Sequence, residues 1–347
     1  MTHNMKYFKG SFIFTFLGIM AAFSIGMMES GINLAFIYAY QVLILTILEV
    51  SLSFDNAVIN ASVLKDMTEE WQRKFLTWGM VIAVFGMRLV FPLIIVMIAG
   101  HLSPIDALKI SFTDPKAYEE IMKSSHTAIA GFGGTFLLMV FLKYFVDYEK
   151  EIHWIGFIEK PLAKIGKMDT IQIAIAALVV LMISKFIPTH ETQTFIISAV
   201  WGLIVYILAD GVEVFFDNEE KDAVGTVVKS VAKAGFAGFM YLEVLDASFS
   251  FDGVIGAFAI TNIIWIMAIG LGSGALFVRS LTILMVDKGT LTAYKYLEHG
   301  ALWAIGILSF ILLIEPMYSV PEVITGLIGA VAIVIAFVSS LRVKAKQ

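Results

Sequence analysis

The sequence predicts an all-α integral membrane protein with about ten transmembrane helices in two inverted-topology repeats. Three observations carry this reading. Of 347 residues, 59% are hydrophobic and 15% charged, whereas soluble domains carry about 25% charged residues. About ten apolar stretches reach or approach the ~20 residues that span a bilayer. Two of these stretches carry nearly the same acidic phrase, Glu49 to Asn56 (EVSLSFDN) and Asp246 to Gly253 (DASFSFDG).

The expected spans lie at roughly 10–28, 34–63, 76–99, 127–146, 171–187, 194–216, 233–260, 262–286, 300–315 and 320–341. The fifth and ninth are short. Lys6 and Lys9 precede the first, which is too long for a signal-peptide core and reads as a retained helix. With the N-terminus placed in the cytoplasm, the inside segments hold 18 of the 24 basic residues. The outside segments hold Lys109, Lys116, Lys123 and Lys185, while Arg88 and Arg279 fall within spans. Both termini are then cytoplasmic. Residues 1–347 read as one polytopic domain, with repeat one about 1–188 and repeat two about 194–347.

Some classes drop out on composition. The chain has no cysteine, so disulfides, thiolate metal sites and cysteine nucleophiles are absent. A net charge of −5 carries no nucleic-acid signature. Seventeen scattered methionines read as apolar filler. The glycines at 131–134 and 270–274 lie in apolar helices with no preceding strand, so they read as helix-packing positions and not phosphate loops.

The acidic phrases sit in the second and seventh spans, five crossings apart, so the two spans run in opposite directions. Helical spacing puts Glu49, Ser53 and Asn56 on one face, with Ser51 and Asp55 beside it. In the second copy Glu243, Asp246, Ser250 and Gly253 share a face, with Ser248 and Asp252 beside it. Either the polar stripe is wide or the helix unwinds near Asn56 and Gly253. Arg88 and Arg279 each lie in the span after an acidic one and read as counter-ions.

Five carboxylates against two guanidiniums leave a net −3 at depth. Unpaired, five acids would cost roughly 12–17 kcal/mol on the insertion scale. A cation is therefore expected. Carboxylate, amide and hydroxyl oxygens are hard ligands that suit Mn²⁺, Ca²⁺ or Mg²⁺. The expected metal-binding set is Glu49, Asp55, Asn56, Glu243, Asp246 and Asp252, with Ser51, Ser53, Ser248, Ser250, Arg88 and Arg279 as auxiliaries. Release of the ion would leave repelling carboxylates, so protons are expected to replace it. His126 and His299 read as interfacial caps, and Asp210 and Glu213 as interfacial acids near an access funnel. Segment 147–170 reads as solvated surface with a short interfacial helix near His153 and Trp154.

The paired phrases, in fuller form Glu49 to Asn56 and Glu243 to Asp252, resemble the E-x-x-L-S-x-D-N and E-x-x-D-x-x-F-S-x-D signatures of the TerC-like integral membrane family. GGTFLLMVFL, EIHW, YLEHG and PEVITGLIGA look like its branch called domain of unknown function 475. Gly253 stands where many relatives carry Ser. The resemblance implies a bacterial inner-membrane protein of the lysine-exporter-like superfamily, linked to metal homeostasis, manganese or calcium export, and tellurite resistance. The expected function is thus a non-enzymatic, proton-coupled secondary transporter, an exporter by resemblance, of a hard divalent cation, Mn²⁺ foremost. Its expected partners are the lipid bilayer, the metal ion and protons, with homo-oligomerisation open. Two alternatives stand: a non-transporting accessory protein of metal homeostasis or tellurite resistance, and an intramembrane aspartyl protease using Asp55 and Asp252.

Overall fold

The computed structural model describes residues 5–65, 67–79, 81–168, 170–217, 236–258, 260–318 and 320–344. The side chains at 76, 210–217, 236–237, 248–252, 255, 292, 322–323, 325–326 and 344 lie outside the described set. The described chain is helical, with no strand. In order the helices are α1 (Met5–Ser30), α2 (Ile32–Leu52), α3 (Phe54–Leu64), α4 (Glu69–Lys74), α5 (Phe91–Ala99), α6 (Pro104–Thr113), α7 (Pro115–Ser124) and α8 (His126–Phe145). Then follow α9 (Gly156–Ile165), α10 (Ile171–Ser184), α11 (Thr189–Asp217), α12 (Phe236–Phe258), α13 (Ile264–Asp287), α14 (Thr290–Ala293), α15 (Leu297–Ile314) and α16 (Glu322–Lys344). Between α4 and α5 the chain winds more widely, as π-helix, over Phe75–Gly79 and Ile82–Val90.

Seven helical stretches among the described residues are long and apolar enough to cross a bilayer: Met5–Ser30, Ile32–Leu52, Ile82–Ala99, His126–Phe145, Thr189–Ala209, Ile264–Asp287 and Leu297–Ile314. The protein is therefore a multi-pass membrane protein. Two further stretches, Ile171–Ser184 and Leu327–Val343, are apolar but shorter. Helix α12 is long enough to span, but it carries three of the acids.

The chain forms two compact units. The first comprises Met1–Ala61, Glu69–Ser125 and Leu242–Lys288. Its centre is the packing of α1, α2 and α13. Helix α1 is inside-out relative to a soluble helix: Ser11, Thr15, Ala22 and Gly26 are buried, while Phe12, Phe16, Leu17 and Met20 are exposed. Large apolar side chains gain nothing by leaving lipid, so small residues occupy the helix interface and let backbones approach. Ser11 Oγ donates to the Leu276 carbonyl at 2.9 Å and lies 2.8 Å from Ser280 Oγ. A Cβ at Gly26 would come 2.7 Å from the Ala35 Cα, so the α1–α2 turn closes only on glycine. The turn residue Gly31 takes φ +86°, open to glycine at little cost. Outside the spans, Ser103 and Asp114 cap α6 and α7 by accepting from Asp106 N and Ala117 N, each with proline at the first turn.

The second unit comprises Ser62–Thr68, His126–Tyr241 and Gly289–Gln347. Helix α8 is its core, packed on α11 and on α15, which in turn packs on α16. A Cβ at Gly131 would meet the Phe195 carbonyl at 2.7 Å, and one at Gly134 the Leu313 Cγ at 2.8 Å. In α13 a Cβ at Gly270 would meet Leu45 Cβ at 2.5 Å. Both glycine runs therefore serve helix approach, as the sequence predicts. His126 opens α8 with Nε2 3.1 Å from Glu315 Oε1. His299, near the start of α15, is buried, as described below.

Candidate functional site

The first unit buries a charged cluster. Glu49, Asp55, Glu243 and Asp246 are 1%, 6%, 4% and 9% exposed, and Arg88 and Arg279 are 8% and 5% exposed. Four acids and two arginines at that depth cannot be incidental, because each uncompensated charge costs several kcal/mol.

The helix does open within the first acidic phrase, but at Ser53 and not at Asn56. Helix α2 ends at Leu52, Ser53 takes φ −101° and ψ 19°, and α3 begins at Phe54. The Ser53 N–H still donates to the Glu49 carbonyl at 2.9 Å, so few carbonyls are released. Ser53 Oγ donates to Glu49 Oε1 at 2.9 Å. The break gives α3 its own N-terminus, and Asp55 sits in its first turn, where the helix dipole favours a carboxylate. The Asn56 N–H donates to Asp55 Oδ1 at 3.0 Å. Ser51 lies on the exposed side and donates to its own helix at Ile47 O, so it does not join the cluster.

Glu49 is held by Arg88, whose Nη2 donates to Glu49 Oε1. Arg88 Nη1 turns back to the Ala83 carbonyl five residues earlier, a reach that the π-helical winding suits. The other face of Glu49 meets two glycines. A Cβ at Gly253 would lie 2.9 Å from Glu49 Oε2, and one at Gly274 would overlap Glu49 Cβ and stand 2.9 Å from the Thr46 carbonyl. Helices α12 and α13 thus close on the carboxylate only where side chains are missing. Gly274→Ala is expected to cost about 1–3 kcal/mol through overpacking. Gly272→Ala meets only the movable Val84 Cγ1 at 3.0 Å and should cost less. Thermal unfolding of the two variants in detergent checks the order.

Glu243 and Arg279 meet beside Gly79 in the π-helical stretch. A Cβ there would lie 2.7 Å from Glu243 Oε1 and 2.9 Å from Arg279 Nη2. The Arg279 guanidinium stacks 3.8 Å over the Phe75 ring, and Asp246, Glu243 and Arg88 are the charges acting on it. Asn60 Nδ2 donates to Asp246 Oδ1 at 3.1 Å. Among the described residues several buried polar atoms have no hydrogen bond: both Glu243 oxygens, both terminal nitrogens of Arg279, and the amide oxygens of Asn56 and Asn60. Among the described residues, no three acidic or imidazole side chains converge as a ready metal cage. The expected ligands Glu49, Asp55, Asn56, Glu243 and Asp246 are thus all buried in the first unit, with Arg88 on Glu49 and Asn60 on Asp246. The side chains of Asp252, Ser248 and Ser250 lie outside the described residues, as do those of Asp210 and Glu213.

Sequence reasoning missed Asn60 and Gly79. Asn60 had a signal, one turn after Asn56 in an apolar run. It also missed a second buried cluster, in the second unit. Segment 147–170 is not simply solvated: Glu159 of α9 is fully buried. Its oxygens accept from Trp154 N at 2.9 Å, Ile155 N at 3.1 Å and Trp303 Nε1 at 3.0 Å. His299 Nε2 lies 2.9 Å from the Ile152 carbonyl, which can only accept, so that nitrogen bears the proton. A neutral ring then leaves Nδ1 to accept from the Tyr144 hydroxyl at 3.2 Å. EIHW and YLEHG, apart in sequence, are thus joined through Ile152 and His299.

A helical multi-pass architecture with a buried acid–arginine cluster defines an integral membrane protein with a polar centre. Its family is shown by sequence. The chain belongs to the family described as protein of unknown function (DUF475), which matches residues 54–347. No curated protein and no solved structure matches the chain.

Proposed function

We propose that this protein is a TerC-like secondary transporter of a hard divalent cation, Mn²⁺ foremost, built from ten spans in two inverted repeats. The observation that carries the reading is the buried Glu243 carboxylate with neither oxygen hydrogen-bonded among the described residues, in the same unit as the unpaired amide oxygens of Asn56 and Asn60. Hard oxygens left unsatisfied in a dry interior are worth more to a hard cation than to packing. The arginines fit the same scheme. Arg88 holds Glu49, and Arg279 stands by Glu243, so each cluster of acids has a neutralising partner while the ion is away. Ion arrival would draw Glu49, Asp55, Asn56, Glu243, Asp246 and Asp252 together, and ion departure would return the carboxylates to arginine, asparagine and protons.

Support for the repeats comes from chain membership. The first unit draws α2 and the Ile82–Ala99 span from one half, and their expected counterparts α12 and α13 from the other. The second unit likewise joins α8 with α15 and α10 with α16. A bacterial inner-membrane location with both termini cytoplasmic, and outward transport, belong to the same proposal.

The test is Mn²⁺ flux into or out of liposomes holding this chain alone. Asp55→Asn and Asp252→Asn are each expected to abolish flux, and an imposed pH gradient is expected to drive it in the wild type. Unchanged flux in both variants ends the site assignment, and indifference to the gradient ends proton coupling.

A further inference from the structure

The second unit contains a cavity of about 600 Å³ that plays no part in the cation site. Its wall includes Lys143, Tyr144, Lys150, Lys295, Glu298 and His299. It lies where α8 ends at Phe145 and α15 begins at Leu297, both spanning helices. Ends of spans stand at the level of lipid headgroups.

Lys150 makes this cavity more than a gap. Its side chain is 9% exposed, and its ammonium packs 3.6 Å over the Tyr144 ring and 4.0 Å over the Phe145 ring. The Glu159 Oε2 oxygen is 3.9 Å away, near enough for charge attraction but too far for a hydrogen bond. Among the described residues Nζ makes no hydrogen bond, and it is closed to solvent. An ammonium carries three donors, and leaving them dry is costly. Glu159 is not free to swing over, because three N–H groups already hold its oxygens. Glu298 is engaged by Lys65 at 2.8 Å. Asp147 Oδ1 accepts from Glu149 N. Lys150 lines the cavity, so a group bound there can serve as the acceptor once the ammonium turns off the two rings.

The wall also defines the ligand's charge. Three lysines, Lys143, Lys150 and Lys295, belong to the wall, from the end of α8, the following segment and the stretch before α15, a lining that suits a group with several acceptor oxygens. Asp147, Glu151 and Glu298 share the wall and offset the three lysines, so a singly charged group is repelled less than a compact dianion. The volume exceeds what a bare oxyanion fills and leaves room for its ester substituents. We infer that this cavity binds a phosphodiester, the chemistry of a phospholipid headgroup, with Lys150 as the buried anchor and Lys295 at the rim. The inference is independent of the cation reading, since it uses none of the same residues.

Burial lowers Lys150 to about 8, with Glu159, Glu298 and Asp147 pulling the other way. The groups facing it are Tyr144 on α8, Glu159 on α9, Glu298 and His299 on α15, and Asp147 and His153 on the connecting segment. The Lys150 ammonium is therefore charged well below pH 8 and progressively neutral above it. Phosphodiester binding should weaken between pH 7 and pH 9, and less so in Lys150→Arg.

The experiment uses the full chain in maltoside detergent without phosphate. Three probes are added separately: phosphatidylglycerol in mixed micelles, soluble glycerophosphoglycerol, and inorganic phosphate. Binding is read by native mass spectrometry and by the unfolding midpoint. The lipid is expected to bind to the wild type. Lys150→Gln and Lys295→Gln should each weaken it about tenfold or more, the loss of one charge-assisted hydrogen bond. Lys295 is exposed, so its variant reports on the cavity even if Lys150→Gln misfolds. Equal binding of the soluble diester supports the chemistry and assigns the ligand to the aqueous side. Equal binding of inorganic phosphate, or lipid binding unchanged in both glutamine variants, overturns the inference.

Discussion

Arg88→Met is expected to lower stability by about 3–5 kcal/mol, the penalty for leaving a buried carboxylate without its partner. The stranded group is Glu49, which is 1% exposed and takes its only charged contact among the described residues from Arg88. Methionine keeps the volume and the apolar contacts, so the loss reports on charge. The double variant Glu49→Gln/Arg88→Met should recover most of it, because an apolar or neutral pair of similar shape is often no worse than the ion pair. Unfolding midpoints of the single and double variants in one detergent decide this. A double variant as unstable as Arg88→Met alone would mean that the arginine matters through packing and its bond to Ala83, not through Glu49.

Glu159→Ala is the second large effect, also about 3–5 kcal/mol. It strips acceptors from Trp154 N, Ile155 N and Trp303 Nε1, and removes the nearest negative charge from the buried Lys150. Glu159→Gln keeps acceptor oxygen and should cost less. The pH dependence has a defined sign. Burial alone would raise the Glu159 carboxyl, but hydrogen bonds from Trp303, Ile155 and Trp154, with the nearby His299, outweigh it and hold the group below its ordinary range. Its folded form is thus the better acid, and its contribution to stability is present above the usual carboxylate range and lost as pH falls below it. The wild type should lose stability in acid more steeply than Glu159→Gln, as seen in unfolding midpoints at pH 7 and pH 4.

The two clusters show what sequence can and cannot reveal. Glu49, Asp55, Glu243, Asp246, Arg88 and Arg279 stand out because a charge within an apolar run needs a reason, and all six proved buried. Local unwinding near Asn56 is one of the two readings the phrase allows; its position at Ser53 was not legible, because EVSLSFDN contains neither glycine nor proline, and the helix opens where Ser53 turns to Glu49. Glu159 was hidden for the opposite cause. Among Lys150, Glu151, Lys160 and Lys164 one more charge reads as surface, and only tertiary contact with Trp303, 144 residues later, makes it core. Span counting had a similar limit. Ile171–Ser184 is too short to be counted by length, although its apolar character is plain.

The first unit is assembled from pieces far apart in the chain, and this bears on how the protein is made. Residues up to Ala61 and from Glu69 to Ser125 leave the ribosome well before Leu242–Lys288. At roughly 5–20 residues per second, the acids of α2 and α3 wait on the order of 10–40 s for their later partners. Glu49 can be escorted by Arg88 during that interval, since both belong to the early piece, whereas Asn60 has no Asp246 to bind until the late piece is inserted. The Arg88 pairing would then act as a chaperone in cis, keeping a carboxylate quiet in a half-built translocation intermediate.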